Sequence, residues 1–386
     1  MPGKWDWLME SLKDKGLRTK YSLIFKFIGK KISGADDITK CALCPNMCRH
    51  ACPVSIVDGK ETTSPAGKAR IALFINKKVI DLNLDNIYPL YMCLSCDACT
   101  QWCPFEFSVA DLIRPLKEEA VKKGLIPNEI RDVFDKLESS GNIYGRRIKE
   151  PSENKRGNVL FLRGCEIIEN FPELADKSIA LLKKLGYEPF TLENEKCCGM
   201  PAYNLGNIDL FKKLAKENAK IINSLNVSLV ITSCPSCAYA YRVLYKKFGI
   251  NLKPKVLHIT EALRENLKEK LVAHESLEVT YHDPCKLAIS LNEPDLLRSI
   301  LEKIEGVSVK APRRHGKNTF CCGYGGSAIS RLNPKLANEI AKERISELKE
   351  EANVIITACP TCKKALSKVN SDITVLDIIE FLNQFI

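Results

Sequence analysis

Four short apolar runs punctuate the second half of the chain: Val159-Leu160-Phe161-Leu162, Leu229-Val230-Ile231-Thr232, Val279-Thr280-Tyr281-His282 and Val354-Ile355-Ile356-Thr357. Each is too short for a helix and reads as a buried strand bounded by turn residues. Between them the apolar positions return at helical spacing, as in Leu174 to Leu185 and Leu336 to Leu348. Strands alternating with helices predict a mostly parallel sheet covered by helices, with its ligand beyond the carboxyl ends of the strands. Two further runs, Val256-Leu257-His258-Ile259 and Val375-Leu376-Asp377-Ile378, each open a helix.

The pattern is doubled. Cys165 follows the first strand and Cys285 its counterpart; Cys197-Cys198-Gly199 is matched by Cys321-Cys322-Gly323; Cys234/Cys237 is matched by Cys359/Cys362. The copies lie about 120–125 residues apart, an internal repeat that sets the architecture. We place the first repeat at residues 158–270 and the second at 271–386, after a polar, turn-rich linker at 139–157. The glycines of Cys322-Gly323-Tyr324-Gly325-Gly326 let the main chain approach a bulky object. Cys234 and Cys359 precede helices expected over Tyr239 to Phe248 and from Lys363 onward, whose amino-terminal dipoles favour thiolates.

The first half is helical. Residues 1–35 form a basic amphipathic segment (Trp5, Trp7, Leu8 and Leu12, then Tyr21 to Ile28), either packed on its own domain or docked on a partner protein or membrane surface. Residues 36–138 hold two cysteine runs, with helices at Ala69 to Val79 and Asp111 to Lys123 carrying Pro65 and Pro115 near their starts.

Cysteine changes the picture more than charge does. All 18 cysteines of the 386 residues fall in these runs and repeats, in far too long a chain for a disulfide scaffold. No apolar run is long enough to cross a membrane, and Asp6, Glu10 and Asp14 interrupt the start, so we expect a reducing cytoplasm and metal-ligating thiols. The formal charge of +11 counts every cysteine as neutral; anionic clusters offset it, and the basic residues are scattered, which argues against a nucleic-acid partner.

Cys93-x2-Cys96-x2-Cys99-x3-Cys103-Pro104 follows the bacterial ferredoxin pattern, in which the fourth cysteine serves the other cluster. Carried over, one cubane [4Fe-4S] cluster takes Cys93, Cys96, Cys99 and Cys52, and the other takes Cys41, Cys44, Cys48 and Cys103. The first run has one extra residue between Cys44 and Cys48. Zinc ribbons also use C-x2-C pairs, but two four-cysteine runs closed by C-x3-C-P favour iron–sulfur.

The helical two-cluster part resembles the helical ferredoxin domains of multisubunit oxidoreductases. The doubled element resembles the CCG domain, which occurs twice in the catalytic B subunit of heterodisulfide reductases; its fusion behind two cubanes resembles the D subunit of that system. The resemblance implies a multidomain fold, an α-helical ferredoxin-type domain followed by a duplicated α/β CCG domain. It implies one or two noncubane [4Fe-4S] clusters on Cys165, Cys197, Cys198, Cys234 and Cys237 and on Cys285, Cys321, Cys322, Cys359 and Cys362. It also implies a reaction that reduces or forms a disulfide in one-electron steps. Iron–sulfur subunits of glycolate oxidase, the C subunit of anaerobic glycerol-3-phosphate dehydrogenase and lactate-utilisation proteins share these repeats. That sharing implies the alternative of a non-catalytic conduit between a flavoprotein and a quinone or cytochrome. A redox partner (flavoprotein, membrane cytochrome or ferredoxin) is expected either way, and a disulfide or other small-molecule acceptor in the first. No Rossmann fingerprint is present, so flavin or nicotinamide is expected on another chain. His282, the one histidine inside a cluster motif, is the candidate proton donor, against the alternative of a hydrogen bond within the core. Lys286 offsets cluster charge or is solvated.

Overall fold

The computed structural model describes residues 36–146, 157–267, 271–369 and 371–385. The amphipathic segment over residues 1–35 and residues 147–156 of the linker lie outside them.

Among the described residues, six α-helices dominate the first part: Asp37–Leu43, Pro53–Asp58, Pro65–Asn76, Leu84–Tyr91, Val109–Lys122 and Asn128–Ser140. Asp36, Ser64, Asn83 and Ser108 each accept a backbone N–H of the first turn, which satisfies donors a helix start leaves open. Gly59 and Gly141 end two of the helices in the left-handed conformation. Two expected helices are displaced. The one expected over Ala69 to Val79 runs from Pro65 to Asn76. The other starts at Val109 behind its Ser108 cap, so Pro115 stands in the second turn and not near the start. Burial of Ile113, Leu116 and Ala120 along one face outweighs the lost backbone donor there.

Two four-stranded sheets follow. The first contains β1 (Val159–Leu162), β2 (Pro189–Phe190), β3 (Leu229–Thr232) and β4 (Lys255–His258) in the order β2-β1-β3-β4. The second contains β5 (Val272–His282), β6 (Glu305–Lys310), β7 (Val354–Thr357) and β8 (Thr374–Asp377) in the order β6-β5-β7-β8. Every pair is parallel, with β1 aligned on β3 from Val159↔Leu229 to Leu162↔Thr232, and β5 on β7 through Tyr281↔Ile356. All four side chains of β1 are buried, as helices on both faces of a parallel sheet require. The edge strands β2 and β6 leave little trace in the apolar pattern: one has two residues, and the other runs Glu-Gly-Val-Ser-Val-Lys half in solvent.

The two repeats pack reciprocally. Helix Pro172–Lys184 of the first lies against Ile378–Leu382 of the second, and Ile259–Asn266 of the first lies against Leu296–Leu301 of the second. Leu174, Leu181, Leu263, Ile300, Ile378 and Phe381 fill that layer, each contributing about 1.5–3 kcal/mol by burial. A second core runs unbroken from the helical part into both repeats. At that junction Gly206 (φ 94°) admits the backbone of Lys117, whose carbonyl oxygen would sit 2.8 Å from a Cβ there. Lys117 Nζ donates to the Asn204 carbonyl at 3.2 Å, and Tyr91 Oη donates to the Leu205 carbonyl at 3.3 Å.

Candidate metal centres

The structure brings the eight cysteines of the helical part together as two sets. Cys41, Cys44, Cys48 and Cys103 line one pocket, and Cys52, Cys93, Cys96 and Cys99 line another; Cys99 also borders the first. Backbone geometry makes these loops tight. Ser95 (φ 51°) and Asp97 (φ 60°), both left-handed, flank Cys96 and turn the chain back on either side of it. The extra residue of the first run is taken up at Asn46 (φ 66°), whose amide donates to Ser64 Oγ at 2.9 Å and whose oxygen accepts from the Ala66 N–H at 3.3 Å. Asn tolerates the left-handed region, which makes it suited to that insertion.

The ten cysteines of the repeats converge on a single cavity of about 400 Å³. In each repeat the lone cysteine and the C-x2-C lie just past the carboxyl ends of neighbouring central strands, Cys165 after β1 and Cys234 after β3, Cys285 after β5 and Cys359 after β7. The strand order reverses between those neighbours, where parallel sheets open a crevice. Cys285 Sγ is 3.9 Å from Cys321 Sγ. The helices after Cys234 and Cys359 begin at once, at Pro235 and Pro360, because proline at the first helical position costs no hydrogen bond. They do not wait for Tyr239 and Lys363.

The glycines act differently from expectation. Gly199 and Gly323 share φ 87°; a Cβ at Gly199 would lie 2.8 Å from the Phe211 ring, and one at Gly323 would lie 2.6 Å from the Ala337 carbonyl oxygen. They admit their own repeat's helix. Gly326 (φ 73°) admits the ferredoxin-type loop, since its Cβ would meet the carbonyl oxygens of Leu94 at 2.9 Å and Cys93 at 3.0 Å. The Gly-rich tail therefore joins the second cysteine set to the loop carrying Cys93 and Cys96. Cys96 and Cys321 are in side-chain contact there. Lys286 Nζ, beside Cys285, pairs with Asp97, beside Cys96, at 2.8 Å, and Ser290 Oγ donates to the same carboxylate at 2.9 Å.

The donor sets suit a polynuclear cation. Burial pushes the Cys41 and Cys48 thiols up to about 12, with neighbouring sulfurs adding to it. Hydrogen bonds from Cys321 and Cys362 hold Cys322 well below the usual thiol range, while Cys321, foremost through Cys285 and then Cys322, and Cys362, through Cys322, are pushed well above it. Cys198, between Cys197 and Cys237, repeats that arrangement. Buried thiols this close ionise together only against added positive charge, which bound metal supplies.

Residues 37–107 match the 4Fe-4S dicluster domain, and residues 159–242 and 279–367 each match the cysteine-rich CCG domain. The D subunit of the dihydromethanophenazine:CoB–CoM heterodisulfide reductase of Methanosarcina acetivorans is 32% identical over 315 residues, covering 76% of each chain. The chain belongs to the family of heterodisulfide reductase D subunits. The B subunit of the fumarate reductase (CoM/CoB) of Methanothermobacter marburgensis is 28% identical over 306 residues, and the EtfAB:quinone oxidoreductase of Syntrophomonas wolfei is 27% identical over 306 residues. These cover 76% and 71% of this chain, and the matches span 61% and 42% of the lengths of those relatives. The chain is thus an iron–sulfur oxidoreductase subunit with multiple [4Fe-4S] clusters, built as a helical ferredoxin-type region followed by a duplicated parallel-sheet CCG region. Among the described residues no helix is long and apolar enough to cross a membrane.

For this member of the family, the chamber wall adds residues that the cysteine motifs do not point to. Tyr144 comes from the segment expected to be linker, and its hydroxyl donates to Glu166 at 2.7 Å. Lys364 Nζ donates to the Tyr144 hydroxyl at 3.0 Å and pairs with Glu166 at 2.9 Å. Arg331 and Lys368 also line the wall. The available signal was position: Glu166 stands next to Cys165 as Lys286 stands next to Cys285, and Lys364 stands two residues past Cys362.

His282 is placed otherwise than as a proton donor. It is fully buried and is not part of the chamber wall. Its Nδ1 accepts from Arg344 Nε at 3.1 Å, and burial, foremost, lowers its basicity. Among the remaining histidines, His258 is fully buried and caps helix Ile259–Asn266.

Proposed function

We propose that this chain reduces, or in reverse forms, a disulfide in the chamber between its two CCG repeats. The observation that carries the reading is that both complete five-cysteine sets border one shared cavity, so that clusters held by them would face a common substrate. Clusters held by Cys165, Cys197, Cys198, Cys234 and Cys237, and by Cys285, Cys321, Cys322, Cys359 and Cys362, would supply one-electron reduction and Lewis-acidic iron for each sulfur. The balance is one disulfide, two electrons and two protons to two thiols. The residues Cys41, Cys44, Cys48 and Cys103, and Cys52, Cys93, Cys96 and Cys99, would hold the two cubanes that would supply the electrons. Contact of Cys96 with Cys321 and the Lys286–Asp97 pair favour entry at the second repeat.

The chain's own residues set the surroundings. Lys364, Tyr144 and Glu166 form a hydrogen-bonded group on the chamber wall and take the proton-supplying role that the sequence suggests for His282. Arg331 and Lys368 make the wall cationic, which favours thiolate over thiol as the bond breaks. The reading includes a redox partner that delivers electrons to the ferredoxin-type part.

A second reading, an electron-transfer protein without a substrate of its own, is supported by the similarity to the EtfAB:quinone oxidoreductase. The two separate in one experiment. The chain is purified without air, assayed for iron and sulfide, reduced with a low-potential donor and mixed with a disulfide while paramagnetic resonance follows the clusters. Reoxidation with thiol release supports the chamber reading. Reoxidation only by a quinone- or cytochrome-bearing partner contradicts it.

A further inference from the structure

The two CCG sites differ at one buried position. Three residues before its lone cysteine, the first repeat has Leu162 and the second has His282. The partner position differs as well. Counted from the capping asparagines Asn207 and Asn333, Arg344 stands where the first repeat has Asn218. Asn218 donates to the Cys197 carbonyl at 2.9 Å and to the Tyr245 hydroxyl at 3.2 Å, a neutral arrangement. Arg344 is fully buried, donates through Nε to His282 Nδ1 at 3.1 Å and pairs through Nη1 with Glu347 at 3.0 Å.

A guanidinium Nε–H is a permanent donor, so His282 Nδ1 must be the acceptor and the ring proton must sit on Nε2. A neutral imidazole in that tautomer has no lone pair on Nε2, so His282 is no iron ligand. Nε2 is buried with no nitrogen or oxygen partner among the described residues, and the ring meets the Cys322 side chain. A ring nitrogen of His282 and the sulfurs of Cys322 and Cys362 lie within 4.8 Å of one another. Keeping an arginine out of water is costly, and its guanidinium N–H, which is never an acceptor, holds the ring in this tautomer.

We propose that Arg344 locks His282 with its proton on Nε2, and that this N–H donates to the thiolate sulfur of the second cysteine set, making that set's cluster the easier of the two to reduce. The inference rests on the reading that both repeats hold clusters. Donors to cluster sulfurs stabilise the extra negative charge of the reduced state, and the first repeat has leucine in that place. His282 is a positioning residue, acting on the cluster through its ligands.

The test is a potentiometric titration followed by paramagnetic resonance on anaerobically purified protein. The signal that survives in Cys198→Ser assigns the second set, and the titrations are made on the chain with both sets intact. His282→Leu, which copies the first repeat, is expected to keep the iron content and to shift the second cluster to lower potential, leaving the first cluster and the cubanes in place. His282→Gln, which restores an N–H, is expected to recover part of the shift. Arg344→Met, offered in case the leucine variant assembles poorly, is expected to move the same cluster in the same direction. Labelling the histidines with nitrogen-15 should give a weak coupling to the second cluster only. Unchanged potentials with full iron, equal shifts in both clusters, or the strong coupling of a directly bound nitrogen would overturn the proposal. Absence of iron from both repeats in the unmutated chain would instead overturn the function proposed above.

Discussion

The two CCG repeats have the same strand order and the same five cysteines, yet they surround those cysteines with opposite chemistry. The first follows its lone cysteine with Glu166 and backs the Cys-Cys pair with neutral Asn218 and Tyr245. The second follows it with Lys286, tied to Asp97 of the ferredoxin-type loop, and backs the pair with His282, Arg344 and Glu347. Duplication thus supplies two equivalent scaffolds, and a few side chains set them apart: Lys286 of the second is tied to Asp97 of the ferredoxin-type loop, while Glu166 of the first is met by Lys364 of the second. The shared backbone sets where the cysteines converge; the side chains around them are where the repeats differ.

The largest effect tests whether the sites are equally necessary. Cys198→Ser and Cys322→Ser should each remove one CCG cluster signal and lower disulfide turnover by more than about 100-fold, with both cubanes intact. Loss in one variant only would make the repeats unequal partners, a wire and a site. Next is the proton-bearing wall. Lys364→Met should lower turnover by roughly 10-fold to 100-fold while iron content and potentials stay at their original values. Lys286→Met, at the contact with the ferredoxin-type loop, should slow reduction of the CCG clusters by the cubanes instead, read by stopped-flow absorbance.

A smaller difference comes from the paired glycines. Gly199→Ala and Gly323→Ala both put a side chain at φ 87°, a strain of about 1–3 kcal/mol. The second should cost more in thermal unfolding, because it meets the Ala337 carbonyl where the first meets the edge of the Phe211 ring, which can move. Equal losses would mean that backbone strain alone decides.

The smallest contrast lies at the matching caps His258 and Asp377, each fully or almost fully buried at the start of its repeat's last helix. Burial pushes His258 down to about 4, so the unfolded chain takes up the proton first and stability is lost as pH falls from 6.5 toward 4. Burial pushes Asp377 up to about 7, so the folded chain keeps its proton longer and stability is lost as pH rises from 3.8 toward 7. Asp377→Asn, which still caps, should reduce the loss on raising the pH and leave the loss on lowering it; urea unfolding across that range reads both.

Much of this is legible in the residues alone. The runs at Val159, Leu229 and Val354 are strands over the same residues, because four apolar residues between turn formers have few other uses. β2 and β6 are not legible: pairing with a central strand makes them, and pairing leaves no apolar signature on a short edge. The cysteine sets are legible as chemistry, whereas the wall is not, since Tyr144 and Lys364 meet only through the fold. The glycines after Cys322 suggest room for a cluster; their positive φ is the real content, and it serves contact between backbones.

Cysteines of both repeats border a single chamber. The most direct measurement adds one equivalent of a disulfide to the oxidised and to the one-electron-reduced chain and records the spectra of both CCG clusters. Both signals should change together at one equivalent, in the original chain and in Lys364→Met alike. A change confined to one cluster, or no change until a quinone-linked partner is present, would contradict it.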